Sequence, residues 1–353
     1  MRGNDHQQAN LISYVNLEDR IAADHPLRGI RQLVDQILQA MDSDFAVMYS
    51  EVGRPSIPPE RLLRALLLQI FFSVRSERLL MEQMDYNLLF RWFVGLEIDE
   101  PVWNHAVFSK NRDRLLNEAV AKEFFRRVLG LAKSYMSDEH FTVDGTLLEA
   151  WASQKSFQRK DGGGSNDGGQ FHGEKRSNET HESKTDPEAR LYKKSRGQEA
   201  KLSYLGHIVI ENRNGLIRET LTTQADGQGE TDAAILMAQA LARPGHRITM
   251  GADKAYDRKD FVQTVRELGV TPHVAQNDKN RRSAIDGRTT RHAGYLVSMG
   301  KRSLIEKAFG WMKLVGGLKK VKLRGLDKVG WLFTYCAAAY NLLRIRSLQE
   351  QCA

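Results

Sequence analysis

Apolar residues recur along this chain at two spacings, and the change from one to the other falls near residue 139. From about residue 26 to 136 they return every three or four positions, the spacing of a helix face. Ile57-Pro58-Pro59-Glu60 sets proline in the first turn of a helix that continues RLLRALLLQIFFSV. Ser76 predicts the cap of a second, ERLLMEQMDY, and a third, NLLFRWFV, stops at Gly95. Asn104 opens HAVFSKNRDRLL, and EAVAKEFFRRVLGLAKSYM completes an all-α N-terminal region.

From Phe141 the pattern alternates as strands do. HFTVDGT is one strand, and LSYLGHIVIENRNGLIRETLTT reads as two joined by a turn at Asn214-Gly215. A helix from about Asp232 to Leu241, a strand HRITMGAD, a helix DRKDFVQTVRELG and a strand TPHVAQ follow. Strands followed by alternation with helices predict an α/β class with a mixed sheet flanked by helices. Two domains are expected, 1–138 and 139–353. Residues 156–200 are rich in Gly, Ser, Asn and charge, and are expected to form a flexible loop.

At 353 residues the chain can bury a large core without staples. Cys336 and Cys352 lack metal-ligand spacing and are expected to be free thiols in a reducing compartment. The most apolar run, Leu62 to Phe72, is interrupted by Arg64 and Gln69 and is too short to span a bilayer. The N-terminus is polar, without a signal-peptide core. These features predict a cytoplasmic protein with no membrane partner.

The net charge is +8, but Lys279 to Arg324 alone holds 13 Lys and Arg against Asp286 and Glu306. Concentrated positive charge is the footprint of a polyanion, because Lys and Arg that neutralise phosphates release condensed counterions. A solvated basic face would give the same count.

FTVDGTLL contains DGTL, part of the Asp-x-Asp-Gly-Thr loop of haloacid-dehalogenase phosphatases. Thr142 stands where that loop needs its nucleophilic Asp, so covalent phosphoryl chemistry lacks its central atom. Asp144 instead faces the same way along its strand as Thr142, opposite to Phe141 and Val143. A carboxylate in the middle of a strand is costly to bury without a cation or hydrogen bonds. Asp253 ends ITMGAD in a similar setting, and two such carboxylates suit Mg²⁺, although Asp also ends strands merely to begin a turn. In GKRSLIEKAFGWMKLVGG, Leu304, Ile305, Ala308, Trp311, Met312 and Val315 cover one helix face, while Arg302, Glu306 and Lys313 share another stripe. One acid between two bases can serve a metal and a phosphate together, or form an exposed ion-pair row.

The order Asp144, Asp253, Glu306 resembles the Asp-Asp-Glu (DDE) triad of ribonuclease-H-like transposases and integrases. The helix resembles the signature of bacterial insertion-sequence transposases of the insertion-sequence-four and -five superfamily: Tyr, two residues, Arg, three residues, Glu, six residues, Lys. Arg302, Glu306 and Lys313 match it, and Met299 replaces the Tyr. VDGTLLEAWAS and GADKAYD are similar to the blocks around the two Asp residues. GRPSIPPERLLRALLLQ, RSERLLMEQMDYNLLFRWFVGL, FSKNRDRL and the closing GLDKVGWLFTYCAAAYNLLRI are similar to segments of the insertion-sequence-five type. The resemblance covers roughly residues 10 to 346.

It implies a ribonuclease-H-like catalytic core preceded by a helical DNA-binding or dimerisation domain. It also implies a transposase that binds terminal inverted repeats, frees the transposon 3′ ends by water attack and joins their 3′-OH groups to target DNA. Asp144, Asp253 and Glu306 would hold two Mg²⁺ ions, with Mn²⁺ as an alternative. Arg302 and Lys313 would hold phosphates near the scissile bond. Lys319, Lys320, Lys322 and Arg324 are expected to contact DNA phosphate, and Lys110 and Arg112 to contribute if the N-terminal helices read the ends. A homodimer on paired ends, associated with the nucleoid, completes the expectation. Its alternatives are a host-retained DNA-binding protein and a nuclease of the same fold that does not join strands.

Overall fold

The apolar spacing before residue 139 produces helices throughout. The computed structural model describes residues 16–49, 52, 55–116, 118–160, 176–193, 197, 199–279 and 281–352. Its helices there are α1 (Leu17–Arg20), α2 (Leu27–Ala40), α3 (Asp42–Met48), α4 (Pro59–Phe71), α5 (Glu77–Tyr86), α6 (Leu88–Val94), α7 (His105–Leu115) and α8 (Glu118–Ala132). In α2 the residues Leu27, Ile30, Val34, Ile37 and Leu38 form one buried stripe. The caps lie where the sequence places them: Ser76 Oγ accepts from Leu79 N and Asn104 Oδ1 from Ala106 N. Gly95 closes α6 at φ 87°, a left-handed conformation that costs glycine nothing.

Beyond residue 139 come β1 (His140–Ala150), β2 (Phe157–Arg159), β3 (His181–Ser183), β4 (Arg190–Tyr192), β5 (Lys201–Glu211) and β6 (Ile217–Gln224). Next follow α9 (Gly229–Leu241), β7 (Ile248–Ala252), α10 (Lys259–Glu267), β8 (Val270–Val274) and α11 (Gly287–Thr290). The chain closes with α12 (Ala293–Lys301), α13 (Ser303–Leu314), β9 (Lys320–Val321) and α14 (Leu326–Cys352). β1 runs antiparallel to β5, and β5 to β6. On its other edge β1 runs parallel to β7, which is parallel to β8. This is the mixed sheet that strands followed by alternation with helices predict.

The hairpin between β5 and β6 turns at Asn214-Gly215, with Gly215 at φ 71°. The fully buried Glu211 carboxylate organises it by accepting from Arg213 N, Asn214 N and Leu216 N at 2.8, 2.7 and 3.1 Å. With Ser137 N, which donates to Glu211 Oε2 at 3.3 Å, four backbone donors compensate a charge that burial alone would make costly.

The sheet divides two apolar clusters. Phe141 and Val143 pack with α9, α10, β7 and β8 on one face. Leu148, Ala150, Ile208 and Ile210 face a larger cluster that continues through α13 and α14 into α2, α4 and α8. The N-terminal helices and the sheet thus share one core. α14, 27 residues long, packs against α8, α4 and β6. It comes close to β5 at Gly206, where any Cβ would lie 2.4 Å from the Phe333 ring. Among the described residues no helix is long and apolar enough to cross a membrane.

Part of the segment expected to be a flexible loop is ordered. β2 pairs with β3, and β4 adds to the edge of β5. Tyr204 Oη donates to the buried Asp186 Oδ1 at 2.5 Å, and Gly325 N donates to the same oxygen at 3.2 Å. Polar anchoring to the sheet supplies what the composition lacks in apolar surface. Residues 161–175 of that segment lie outside the described residues.

Candidate active site

Sheet register brings two carboxylates to the same end of neighbouring strands. β1 and β7 pair as His140↔Thr249, Phe141↔Met250 and Thr142↔Gly251; Asp144 and Asp253 each stand two residues beyond that last pair, Asp144 within β1 and Asp253 just past the end of β7. Phe141, Val143, Met250 and Ala252 point into the α9–α10 cluster. By alternation Thr142, Asp144, Gly251 and Asp253 occupy the opposite face. A Cβ built on Gly251 would lie 3.0 Å from Thr142 Oγ1, in agreement with that assignment. Both Asp side chains are half-buried. Asp144 Oδ1 accepts from Gly145 N at 2.8 Å, and Asp253 Oδ1 caps the short 3₁₀ turn Lys254–Tyr256 by accepting from Ala255 N at 2.7 Å.

Thr142 Oγ1 is buried and donates to Asn212 Oδ1 at 2.8 Å, so the hydroxyl where a phosphatase would carry its nucleophile is a core contact.

Glu306 lies on α13, which packs across β1 and β5. The helix buries Ile305, Ala308, Phe309 and Met312, which leaves Glu306 exposed. Phe309 joins the buried face in place of the expected Val315, which is half-buried. Arg302 is the junction between α12 and α13 and keeps helical torsions there. Arg302 and Lys313 are half-buried. Met299 packs against the smaller cluster. Tyr295, the nearest tyrosine to the missing signature position, donates its hydroxyl to Val274 O at 3.0 Å and is a core residue.

Among the described residues no three His, Cys, Asp or Glu side chains stand close enough together to hold a metal ion. The donor chemistry nevertheless suits a hard divalent cation, since the groups converging here are carboxylates and hydroxyls. The convergence is visible at Tyr256, which ends the turn capped by Asp253. Its buried hydroxyl has no hydrogen-bond partner among the described residues. Burial raises its pKa well above the usual phenol range, and the charges of Asp144, Glu230 and Asp253 add to the rise.

Glu230 carried no signal as a site residue. α9 starts at Gly229, three residues before the expected Asp232, and this places Glu230 in its first turn. Sequence alone reads an acid there as complementing the helix dipole.

The basic positions are distributed unevenly. Lys319, Lys320, Lys322 and Arg324 are all exposed. β9 pairs with the end of β1, so Lys320 faces Glu149 across the strands, and its Nζ lies 3.0 Å from Glu149 Oε1. The ammonium groups of Lys320 and Lys322 lie 5.6 and 5.8 Å from the centre of the partly exposed Trp151 ring. Lys322 Nζ also donates to Arg75 O, tying this strip to the N-terminal helices. Lys110 is exposed on α7. Arg112 is engaged by Glu77 and Asp113. Trp92 is buried in the helical region, its Nε1 donating to Glu18 Oε2 at 2.6 Å.

Among solved structures the chain is similar to the piggyBac transposase in a synaptic complex with hairpin DNA, at 9% identity over 92% of this chain and 76% of that one, with a TM-score of 0.42. It is also similar to Mos1 in a pre-cleavage transpososome, at 11% identity over 84% and 80% of the two chains with a TM-score of 0.21. For the Mos1 strand transfer complex the corresponding values are 11%, 90%, 83% and 0.25. No curated protein matches the chain. Residues 15–114 match the model of a transposase domain (DUF772), and residues 136–342 match that of the transposase DDE domain. The second match spans more than half of the sequence and contains Asp144, Asp253 and Glu306, and the chain belongs to the DDE transposases.

Proposed function

We propose that this DNA transposase mobilises an insertion sequence: it binds terminal inverted repeats, cleaves the element's ends and joins their 3′-OH groups to target DNA. The observation that supports the reading is the register of β1 with β7, whose last pair, Thr142↔Gly251, lies two residues before both Asp144 and Asp253, together with the packing of α13, the helix that bears Glu306, against β1.

Asp144, Asp253 and Glu306 would hold the divalent ions, Mg²⁺ or Mn²⁺, in pairs. When bound, such ions activate an attacking oxygen and stabilise the leaving one. Glu306 is carried on a helix beside the Asp pair, so completion of the acid set needs α13 or the Glu306 side chain to move toward the sheet. Arg302 and Lys313, before and after Glu306 on that element, would hold the scissile phosphate and offset its developing charge. Lys319, Lys320, Lys322 and Arg324 extend the positive surface from β9 toward α14 and would bind flanking phosphates without reading bases. Lys110 would add a contact from α7. Arg112 would do so only by exchanging its carboxylate partners for phosphate. Two copies would act on paired ends, in the nucleoid where the substrate lies.

Incubating the full chain with DNA spanning an element end, in Mg²⁺ or Mn²⁺, tests this directly. Release of 3′-OH ends followed by joined products is expected. Cleavage without joining would identify a nuclease, and binding without cleavage a retained DNA-binding protein.

A further inference from the structure

Gly145 follows Asp144 and points to the other face of β1. A Cβ there would lie 3.0 Å from His207 Nδ1, 3.1 Å from Glu230 Cγ and 3.3 Å from Glu230 Oε1. The absent side chain leaves room for the Glu230 carboxylate to come up against the strand immediately beside Asp144. His207 sits opposite Gly145 in the β1–β5 register. Its Nε2 pairs with Thr223 Oγ1 at 2.9 Å, while its Nδ1 is buried without a hydrogen-bond partner among the described residues. The Tyr256 hydroxyl is another buried polar atom in that condition, and the charges of Asp144, Glu230 and Asp253 act on it. His207 Nδ1 stands at the same point of β1 as the Glu230 carboxylate, and the two residues with orphaned atoms, His207 and Tyr256, are each 1% exposed. Buried polar groups of this kind are ordinarily satisfied by ordered water, and a site with several convergent polar partners is where such water is held. Mg²⁺ keeps several of its own waters when protein carboxylates bind it.

We propose that Glu230 is a further acid of the metal centre, acting through water from the face of β1 opposite to Glu306, with Tyr256 and His207 as the other walls of that water site. The inference rests on Asp144 and Asp253 being the metal-binding pair. It makes Glu230 a positioning residue: it fixes the hydration shell of the ion and leaves direct ligation to the Asp residues. Removal of an outer-shell partner of this type costs about 10- to 100-fold in metal affinity.

Mn²⁺ binding to the full chain without DNA, followed by electron paramagnetic resonance of the free ion, is the deciding measurement. Glu230→Gln is expected to weaken binding about tenfold with an unchanged circular dichroism spectrum. Glu230→Asp, which keeps the charge and withdraws it by one methylene, is expected to lose affinity in the same direction and stands in if the Gln variant does not fold. Tyr256→Phe is expected to lose less. In cleavage assays Glu230→Gln should need about ten times more Mg²⁺ for half-maximal rate yet approach the wild-type rate at saturation. Wild-type Mn²⁺ affinity in Glu230→Gln, or in Glu230→Asp should that variant stand in, overturns the inference. Asp144→Asn is the control, because unaltered Mn²⁺ binding there would overturn the Asp pair itself.

Discussion

Asp144 on β1 and Asp253, the residue that follows the parallel strand β7, each stand two residues beyond the Thr142↔Gly251 pair, 109 residues apart in sequence. The Oδ1 atom of each accepts from a backbone amide close in sequence. Replacing either with Asn preserves the shape and those acceptors while removing the charge. Asp144→Asn and Asp253→Asn are therefore expected to lower strand cleavage about 10³-fold or more. Melting temperature and end binding in a gel-shift assay should stay close to wild type.

The exposed strip from Lys319 to Arg324 predicts salt-dependent DNA binding. Each phosphate that the protein no longer neutralises takes roughly one unit from the slope of log affinity against log salt. Lys319→Ala combined with Arg324→Ala is expected to reduce that slope by about two, with equal losses on specific and unrelated duplexes. Fluorescence anisotropy across a salt series measures it. Lys320 differs because it shares Glu149 with Lys201, whose Nζ also lies 3.0 Å from that carboxylate, so Lys320→Ala leaves Glu149 paired.

Gly206 is a packing requirement with no chemistry attached. Its missing Cβ admits the Phe333 ring, whose Cε2 and Cζ would lie 2.4 and 2.7 Å from any substituent. Gly206→Ala is expected to destabilise the fold by about 1–3 kcal/mol, the range for overfilling a packed core. Phe333→Leu in the same chain should recover part of it, as read from urea unfolding of the two variants.

His273 predicts an acid limit to stability. Its ring is buried, its Nδ1 pairs with Ser298 Oγ at 2.7 Å, and Tyr295 meets it edge-on. Burial lowers its pKa to about 4, with the nearby His140 and His292 pushing in the same direction. The unfolded chain binds this proton near pH 6.5, whereas the folded chain resists it until about pH 4. The contribution is complete above pH 6.5 or so and is lost as the pH falls toward 4. Unfolding free energy should decline between those limits in the wild type and decline less in His273→Gln, measured by urea titration at pH 7 and 5.

Local spacing and local chemistry determined a large part of this protein. The apolar stripe of α2, the Ser76 and Asn104 caps, the Gly95 stop and the Asn214-Gly215 turn each depend on backbone preferences within a few residues. They can therefore be placed without the rest of the chain. Asp144 was legible as a strand-borne acid for the same reason, whereas Asp253 stands just past its strand and caps a turn. The order of strands and helices was enough to expect the mixed sheet.

Only the tertiary structure decided what meets what. The alignment of Asp144 with Asp253 depends on which strands pair and in which register, and no window of sequence contains that choice. Arg302 falls at the junction of two helices while keeping helical torsions, and that break is not marked by the apolar period of the sequence. The segment around Asp186 looked too polar to fold, yet Tyr204 and Gly325, both remote in sequence, hold it by hydrogen bonds. Glu230 resembled an ordinary acid in a first helical turn until α9 packed across β1 at a glycine. Local preferences are set by torsion angles and side-chain period, whereas a site is set by non-local packing, and packing is where this sequence became specific.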